Sequence, residues 1–336
     1  MIDRKEIRMP EGVPPRLIVV VDTEEEYDWN QTFNRQAIEV RALRRVARAQ
    51  KLFEAYQLRP VYVVDYPVAS QERGYSQLKG FTEAGKALVG AHLHPWVSPP
   101  HEEDITAKNS FPGNLPRRLE AAKLITLTET IESSFGQRPT IYKAGRFGIG
   151  SNTPSILAEL GYTVDISAAP PFDYRVHMGP DFSGFSNHPY LCGPDQNILG
   201  LPNTGAYVGY AGRMSRELFD VASHPVLRWT RLPKLLAKVG AVNCIRLSPE
   251  GFSLAEMTLI TEVLYQQGVR VFVMSFHSTS LKPGCTPHVG TDDELHHFLD
   301  RIKNYLEFFL KEFGGVASTP PEVRQDIERI NRKQTA

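Results

Sequence analysis

The chain lacks the features that would place it in several large classes. Only three of its 336 residues are cysteine: Cys192, Cys244 and Cys285. They form no CxxC pair, and any disulfide would leave one of them over, so no disulfide framework or cysteine-based metal site is indicated. Incidental thiols in a reducing compartment are expected instead. An excess of charge of either sign is also missing, because 38 basic side chains face 38 acidic ones. A nucleic-acid partner, which favours a strongly basic face, is therefore not expected. No apolar run approaches the ~18 residues of a membrane span. The opening segment, MIDRKEIRMPEGVPP, is polar and holds no apolar signal core, so a cytoplasmic protein is expected. No G-x-G-x-x-G follows the first apolar run and no G-x-x-x-x-G-K-[ST] occurs, which removes the common nucleotide-cradling loops.

What is present is a 41% share of hydrophobic residues, enough for a large core. They are laid out as short apolar runs alternating with helical patterns. The run 17–21, LIVVV, follows Pro14-Pro15 and reads as a fully buried strand. Further strands are expected at 61–64, 87–91, 140–142, 162–164, 197–201, 243–247 and 269–276. Helices are expected over 35–57, 115–135, 153–160, 253–267 and 291–312. Asn152 is the expected N-cap of the third helix and Gly161 its stop. Alternation of strand and helix implies parallel strands joined by right-handed crossovers. Seven or eight strands in roughly 300 residues favour a closed or nearly closed barrel, with an open doubly wound sheet as the alternative. Residues 1–15 read as an extension, 16–314 as one α/β domain and 315–336 as a peripheral tail. The stretch 166–215 is irregular and rich in Pro, Gly and aromatics, and a loop that long is usually functional.

Four strand ends carry chemistry. Asp22-Thr23-Glu24-Glu25-Glu26 places four carboxylates just past the first strand, where barrels assemble active sites. Asp22 and Glu24 share a face if the strand continues. Crowded carboxylates repel unless a cation or proton intervenes. The plain alternative is a solvated helix start. His92-Leu93-His94-Pro95-Trp96 follows the third strand. Both histidines point one way in extended chain, and Pro95 favours that conformation at His94. Imidazoles near carboxylates suit Zn²⁺ or a similar divalent ion. Lys143-Ala144-Gly145-Arg146-Phe147-Gly148-Ile149-Gly150 lies between a strand and a helix. Its glycines let the backbone turn sharply and approach a ligand. Arg146 can fork onto a carboxylate of the first segment; the alternative is a surface arginine. The last segment ends the most apolar strand in His277, which is either chemical or a satisfied structural histidine. His177, His188, His224, His288, His296 and His297 lack such context, and no role is assigned to them.

In this order, the segments resemble the polysaccharide deacetylase (NodB-homology) family over about residues 16–312. Members show T-F-D-D-G, H-[ST]-x-x-H-P, R-x-P-x-G, an Asp-Trp segment and a late strand ending in His. The counterparts here are VVDTEEE, HLHPW, RFGIG, Asp181-Phe182 and FVMSFHS, closest to a divergent branch with D-T-E-E-E, L-H-P-W and F-H-S. The resemblance implies a distorted (β/α)₇-type barrel. It implies a hydrolase that removes an acetyl or other N-acyl group from a carbohydrate or sugar precursor by metal-assisted acid/base catalysis. Asp22 matches the general base, Arg146 the cation holding it, His277 the general acid and Asp181 the carboxylate tuning that acid. His94 matches a ligand of the divalent metal, for which Zn²⁺ is favoured. Thr23 stands where the family has a metal-binding Asp, which leaves Glu24 as the acidic ligand. The spacing H-x-H replaces H-x-x-x-H, so His92 joins the ligand set as a departure from the pattern. Trp96, Gly148 and Phe182 are expected to contact the acetylated carbohydrate. Two alternatives remain: an O-acetyl esterase, and a non-catalytic carbohydrate-binding protein on a decayed barrel. Aromatic residues of the long loop, Phe172, Tyr174, Phe182, Phe185 and Tyr190, could stack on sugar rings in either case.

Overall fold

Ile18, Val20 and Asp22 fall on one side of a single strand, Leu17, Val19 and Val21 on the other, and all six are buried. A strand with no wet face must have neighbours on both faces. The computed structural model, which describes residues 2–29, 31–209 and 243–335, supplies them. In chain order the strands are β1 (Arg4–Glu6), β2 (Arg16–Thr23), β3 (Val61–Val64), β4 (Leu88–Leu93), β5 (Ile141–Ala144) and β6 (Val164–Asp165). There follow β7 (Tyr190–Cys192), β8 (Ile198–Gly200), β9 (Gly205–Val208), β10 (Asn243–Arg246), β11 (Val271–His277) and β12 (Val316–Ala317). Strands β11, β2, β3, β4, β5, β6 and β8 lie side by side, all parallel. Between β8 and β11 the segment 201–204 bridges the gap. Thr204 N donates to Val273 O at 3.3 Å, and Val273 N donates to the Thr204 hydroxyl at 2.8 Å. The architecture is an α/β barrel, as the alternation of elements predicts, with the distortion that the family resemblance implies.

Helices α1 (Val46–Ala55), α2 (Tyr66–Ser70), α3 (Glu72–Glu83), α4 (Arg117–Phe135), α5 (Thr153–Glu159), α6 (Leu254–Gln266), α7 (Asp292–Glu307) and α8 (Pro320–Thr335) complete the elements used below. Leu124 and Leu127 of α4 and Ile260 of α6 pack in one cluster with the outward residues of β2. Ser253 with Glu256, and Thr291 with Glu294, form capping boxes that start α6 and α7. The barrel interior is a separate cluster built on Ile18, Val20, Val61, Val63, Ile141 and Val273. None of the described helices is long and apolar enough to cross a membrane.

Several sequence expectations are corrected. Helix α1 does not begin near residue 35. The Glu26 carboxylate accepts from Ala42 N at 2.6 Å and Glu26 N donates to Glu39 O at 2.7 Å, which pins the chain ahead of the short turn at Arg41–Arg45. Asn152 makes no side-chain cap. The strand expected at 243–247 is β10, which pairs antiparallel with β9 outside the barrel. The C-terminal tail is not peripheral, since β12 pairs with β2, and the N-terminal extension joins the same sheet through β1 and β7. Ile7 and Met9, with Val323 and Ile327 of α8, join the interior cluster because an open barrel end would leave its valines wet. His224 and residues 210–215 of the long loop lie outside the described residues.

Candidate active site

The period of two that fills the barrel also builds the site. Along β2 the inward face runs Ile18, Val20, Asp22; along β11 it runs Val271, Val273, Ser275, His277; along β5 it runs Ile141, Lys143. Register sets the neighbours: Asp22 pairs with His277 and His92 with Lys143. Polar side chains therefore crown an apolar interior at the C-terminal strand ends, the rim where barrel sites assemble.

Asp22 is held by Lys143, whose Nζ donates to both carboxylate oxygens at 2.7 Å. Arg146 does not take this place. Its guanidinium donates to Ser110 Oγ and lies over Phe111 and Phe33, 4.0 and 4.9 Å from their ring centres. The reason is position: Lys143 still belongs to the strand and points inward, whereas Arg146 lies in the following turn. Arg146 (φ 55°) and Phe147 (φ 58°) both adopt the left-handed conformation. For residues with a Cβ this costs about 1–2 kcal/mol each, so the surroundings must enforce it.

Glu24, His92 and His94 converge. The Nε2 atoms of His92 and His94 lie 3.8 and 3.5 Å from Glu24 Oε2. Three ligands at about 2.1 Å around one Zn²⁺-like ion would be about 3.4 Å apart, close to this spacing. The other ring nitrogens are occupied. His92 Nδ1 meets Lys143 O at 2.9 Å and His94 Nδ1 meets Glu25 Oε2 at 2.8 Å, as outer partners of metal-bound histidines do. Burial lowers the pKa of His92 and brings that of His94 down to about 4, which favours neutral rings able to bind a cation. Burial pushes Glu24 up to about 7, and its Oε1 is buried without a hydrogen-bond partner. A cation would satisfy both the charge and the orphaned oxygen. Glu25, Asp65 and His94 form a second cluster. Its oxygens are already used, since Glu25 accepts from Trp96 Nε1 at 2.7 Å and Asp65 from Glu25 N and Val68 N, each at 2.8 Å. It is the scaffold that aims His94.

His277 lies across the site, its Nε2 4.0 Å from Asp22 Oδ2. Its partner is Glu250, which accepts from His277 N at 3.0 Å and meets Nδ1 at 2.7 Å. Asp181, expected in this role, instead faces Arg175 at 3.3 Å and accepts from Ser183 N at 2.8 Å. Burial opposes charge on His277, but Glu250, Glu24 and Asp22 outweigh it and raise the pKa to about 10. Burial likewise opposes charge on Asp22, and there the cations Lys143 and His277 outweigh it and hold the carboxyl below its ordinary value. The two groups thus keep opposite charges side by side.

Asp22, Glu24, His92, His94, Lys143 and His277 line a cavity of about 240 Å³ with Tyr27, Trp29, Phe147, Tyr174 and Arg246 on its walls. Trp96 is on the wall, stacked on His94 with ring centres 4.3 Å apart. Phe182 is not. It is only 1% exposed and packs edge-on against Tyr174 and Phe185, so no sugar can lie on it. Gly148 serves loop packing: its carbonyl accepts from Gly113 N at 2.7 Å, and a Cβ would meet Pro112 Cδ at 2.7 Å. Sequence reasoning missed Lys143, Glu250, Arg246 and His177, which also lines the cavity. A Cβ on Gly145 would strike the His94 ring and sit 2.5 Å from Leu93 O. Gly145→Ala is therefore expected to displace His94 and weaken metal affinity ~10-fold or more, the scale of losses from disturbed outer partners. Metal titration of the folded variant checks this, and an unchanged affinity would contradict it.

No family model matches the sequence, and no curated protein matches it. Solved structures do match. A candidate polysaccharide deacetylase from Mycobacterium smegmatis superposes with a TM-score of 0.54 at 17% identity, covering 99% of this chain and 96% of that one. A CE4 esterase from Streptococcus mutans gives 0.41 at 8% identity, over 91% of this chain and 86% of that one. The catalytic domain of a peptidoglycan N-acetylglucosamine deacetylase from Eubacterium rectale gives 0.38 at 8% identity, over 93% and 92%. The chain shares its fold with the first of these over nearly its whole length.

Proposed function

We propose that this chain is a metal-dependent hydrolase that removes an acetyl group from an N-acetylated carbohydrate. The observation that carries the reading is the pair Asp22 and His277, 4.0 Å apart and held in opposite charge states beside Glu24, His92 and His94. Glu24, His92 and His94 would hold a divalent cation, Zn²⁺ favoured, which when bound polarises an acyl carbonyl and activates water. Asp22, ionised and pinned by Lys143, takes the proton of the attacking water. His277, cationic and oriented by Glu250, gives its Nε2 proton to the leaving amine. Each transfer is worth ~10²–10⁴-fold. The arrangement satisfies the rule that an acid and a base acting together need environments that drive their pKa values apart. Trp96 and Tyr27 exclude water around the histidines.

The test joins elemental analysis to acetate release from matched N-acetyl and O-acetyl sugars. The expected result is one divalent ion per chain and acetate from the N-acetyl series. His94→Ala is expected to lose the ion and ~10²-fold or more of the activity. Acetate from the O-acetyl series alone would make the protein an esterase. Absence of metal under saturating Zn²⁺, with no acetate from either series, would overturn the reading.

A further inference from the structure

Removing acetate from a neutral sugar requires no cation beyond the metal and the acid. The cavity nevertheless holds two guanidinium groups, those of Arg146 and Arg246. The other cations there are committed, Lys143 to Asp22 and His277 to Glu250. Among the described residues neither arginine meets a carboxylate. Surface arginines of this chain behave differently: Arg118 pairs with Glu102 and Arg138 with Glu132.

Each of the two is sandwiched rather than paired. Arg246, the last residue of β10, sits over Phe147 and Phe172, 4.7 and 4.5 Å from their ring centres. Its Nη2 donates to the Tyr174 hydroxyl at 2.6 Å, and its Nε is buried with no hydrogen-bond partner. Arg146 lies over Phe111 and Phe33 with one bond, to Ser110. A guanidinium held by its faces keeps its N–H edge free for an acceptor in its plane, the geometry that recognises carboxylate and phosphate. A partly buried cation left unpaired is costly, and so is the left-handed backbone that places Arg146. Both costs are understandable if a ligand brings the missing negative charge.

We propose that the substrate carries an anionic group, a carboxylate or phosphate, that Arg146 and Arg246 bind while the acetyl group reaches Glu24, His92 and His94. The inference rests on the deacetylase reading and narrows its substrate to an acidic or phosphorylated acetylated sugar. The cavity of about 240 Å³ is of a size to hold a single charged sugar ring.

Calorimetric binding of glucose, glucuronate and glucose 6-phosphate to the metal-loaded protein tests this without turnover. One of the two anions is expected to bind ~10-fold or more tighter than glucose, and which one does identifies the group. Arg146→Gln and Arg246→Gln, checked for folding by their melting curves, are each expected to lower that preference ~10-fold or more. Raising the salt concentration should weaken anion binding selectively. Equal binding of the three ligands, or a preference untouched in both folded variants, would overturn the proposal. Absence of acetate release from any sugar, with the anion preference intact, would instead refute the deacetylase reading alone.

Discussion

Asp22→Asn is expected to lower kcat by ~10²-fold or more, and both Asp22→Asn and Lys143→Met are expected to lower the melting temperature, because each breaks the buried Asp22–Lys143 pair from one side. The first change keeps the size of the side chain and removes the base, leaving the buried Lys143 ammonium against a neutral amide oxygen. The second leaves a buried carboxylate without the cation that holds both its oxygens at 2.7 Å. Breaking a buried pair from one side costs about 3–5 kcal/mol, because the remaining charge has lost its water and its partner together. Lys143 is also the strongest of the charges that keep the Asp22 carboxyl ionised against its burial. Without it the Asp22 pKa rises, so the active, ionised form is present only at higher pH. The Lys143→Met enzyme should therefore regain part of its rate as pH increases, while Asp22→Asn should not. The linkage has the same sign in the stability of the wild type. A depressed carboxyl pKa contributes stability above the unfolded value near 3.9, and that contribution is lost as pH falls through the folded value. The combined variant should lose less activity than the product of the two losses, since base and clamp act as one unit. Rates across pH and melting temperatures on the same preparations decide the matter. A stable Asp22→Asn protein at wild-type speed would remove Asp22 from the chemistry.

The barrel and half of its site were legible because burial on both faces leaves a simple mark. The β-branched run at 17–21 and the apolar run ending in His277 each read as strands, and the polar residue that ends such a run must sit at a rim. Asp22, His92, His94 and His277 were found that way. Lys143 was open to the same logic, since Ile141 and Lys143 alternate with Tyr142 and Ala144. The motif likeness drew attention three residues on, to Arg146, and a motif does not record which residue keeps the strand period. Glu250 had no such signal. It follows β10, which among the described residues pairs only with β9, and nothing in its spacing says that the chain beyond it returns to β11. Phe182 misled for the opposite reason: an aromatic in an irregular stretch reads as exposed, yet here it is the centre of a packed aromatic stack. The tail misled through composition: its Arg, Glu and Gln read as solvated, whereas Val323 and Ile327 are buried in the interior cluster and Arg324 and Asp326 bond to the barrel.

Glu250→Gln is expected to move the alkaline limb of the activity profile to lower pH. In the wild type His277 carries its proton up to about 10, because Glu250 leads the charges that overcome its burial. Glutamine keeps the shape of the side chain and one acceptor oxygen for Nδ1, gives up the oxygen that accepts from His277 N, and removes the negative charge. The pKa of His277 then falls, and with it the pH at which the acid is spent. Activity near pH 6 should change modestly, while activity near pH 8–9 should drop by ~10-fold or more, following the lost fraction of protonated histidine. Stability gives a second reading of the same charge. A histidine pKa raised on folding contributes stability that is full below the unfolded value near 6.5 and is lost as pH climbs towards 10. The wild type should therefore lose melting temperature across that window, and Glu250→Gln should begin lower and lose less. Asp181→Asn is the control, since its carboxylate faces Arg175 rather than His277, and both profiles should match the wild type. If instead Asp181→Asn shifts the alkaline limb and Glu250→Gln does not, the acid is tuned by Asp181, and the hydrogen bonds between Glu250 and His277 have no part in the proton transfer.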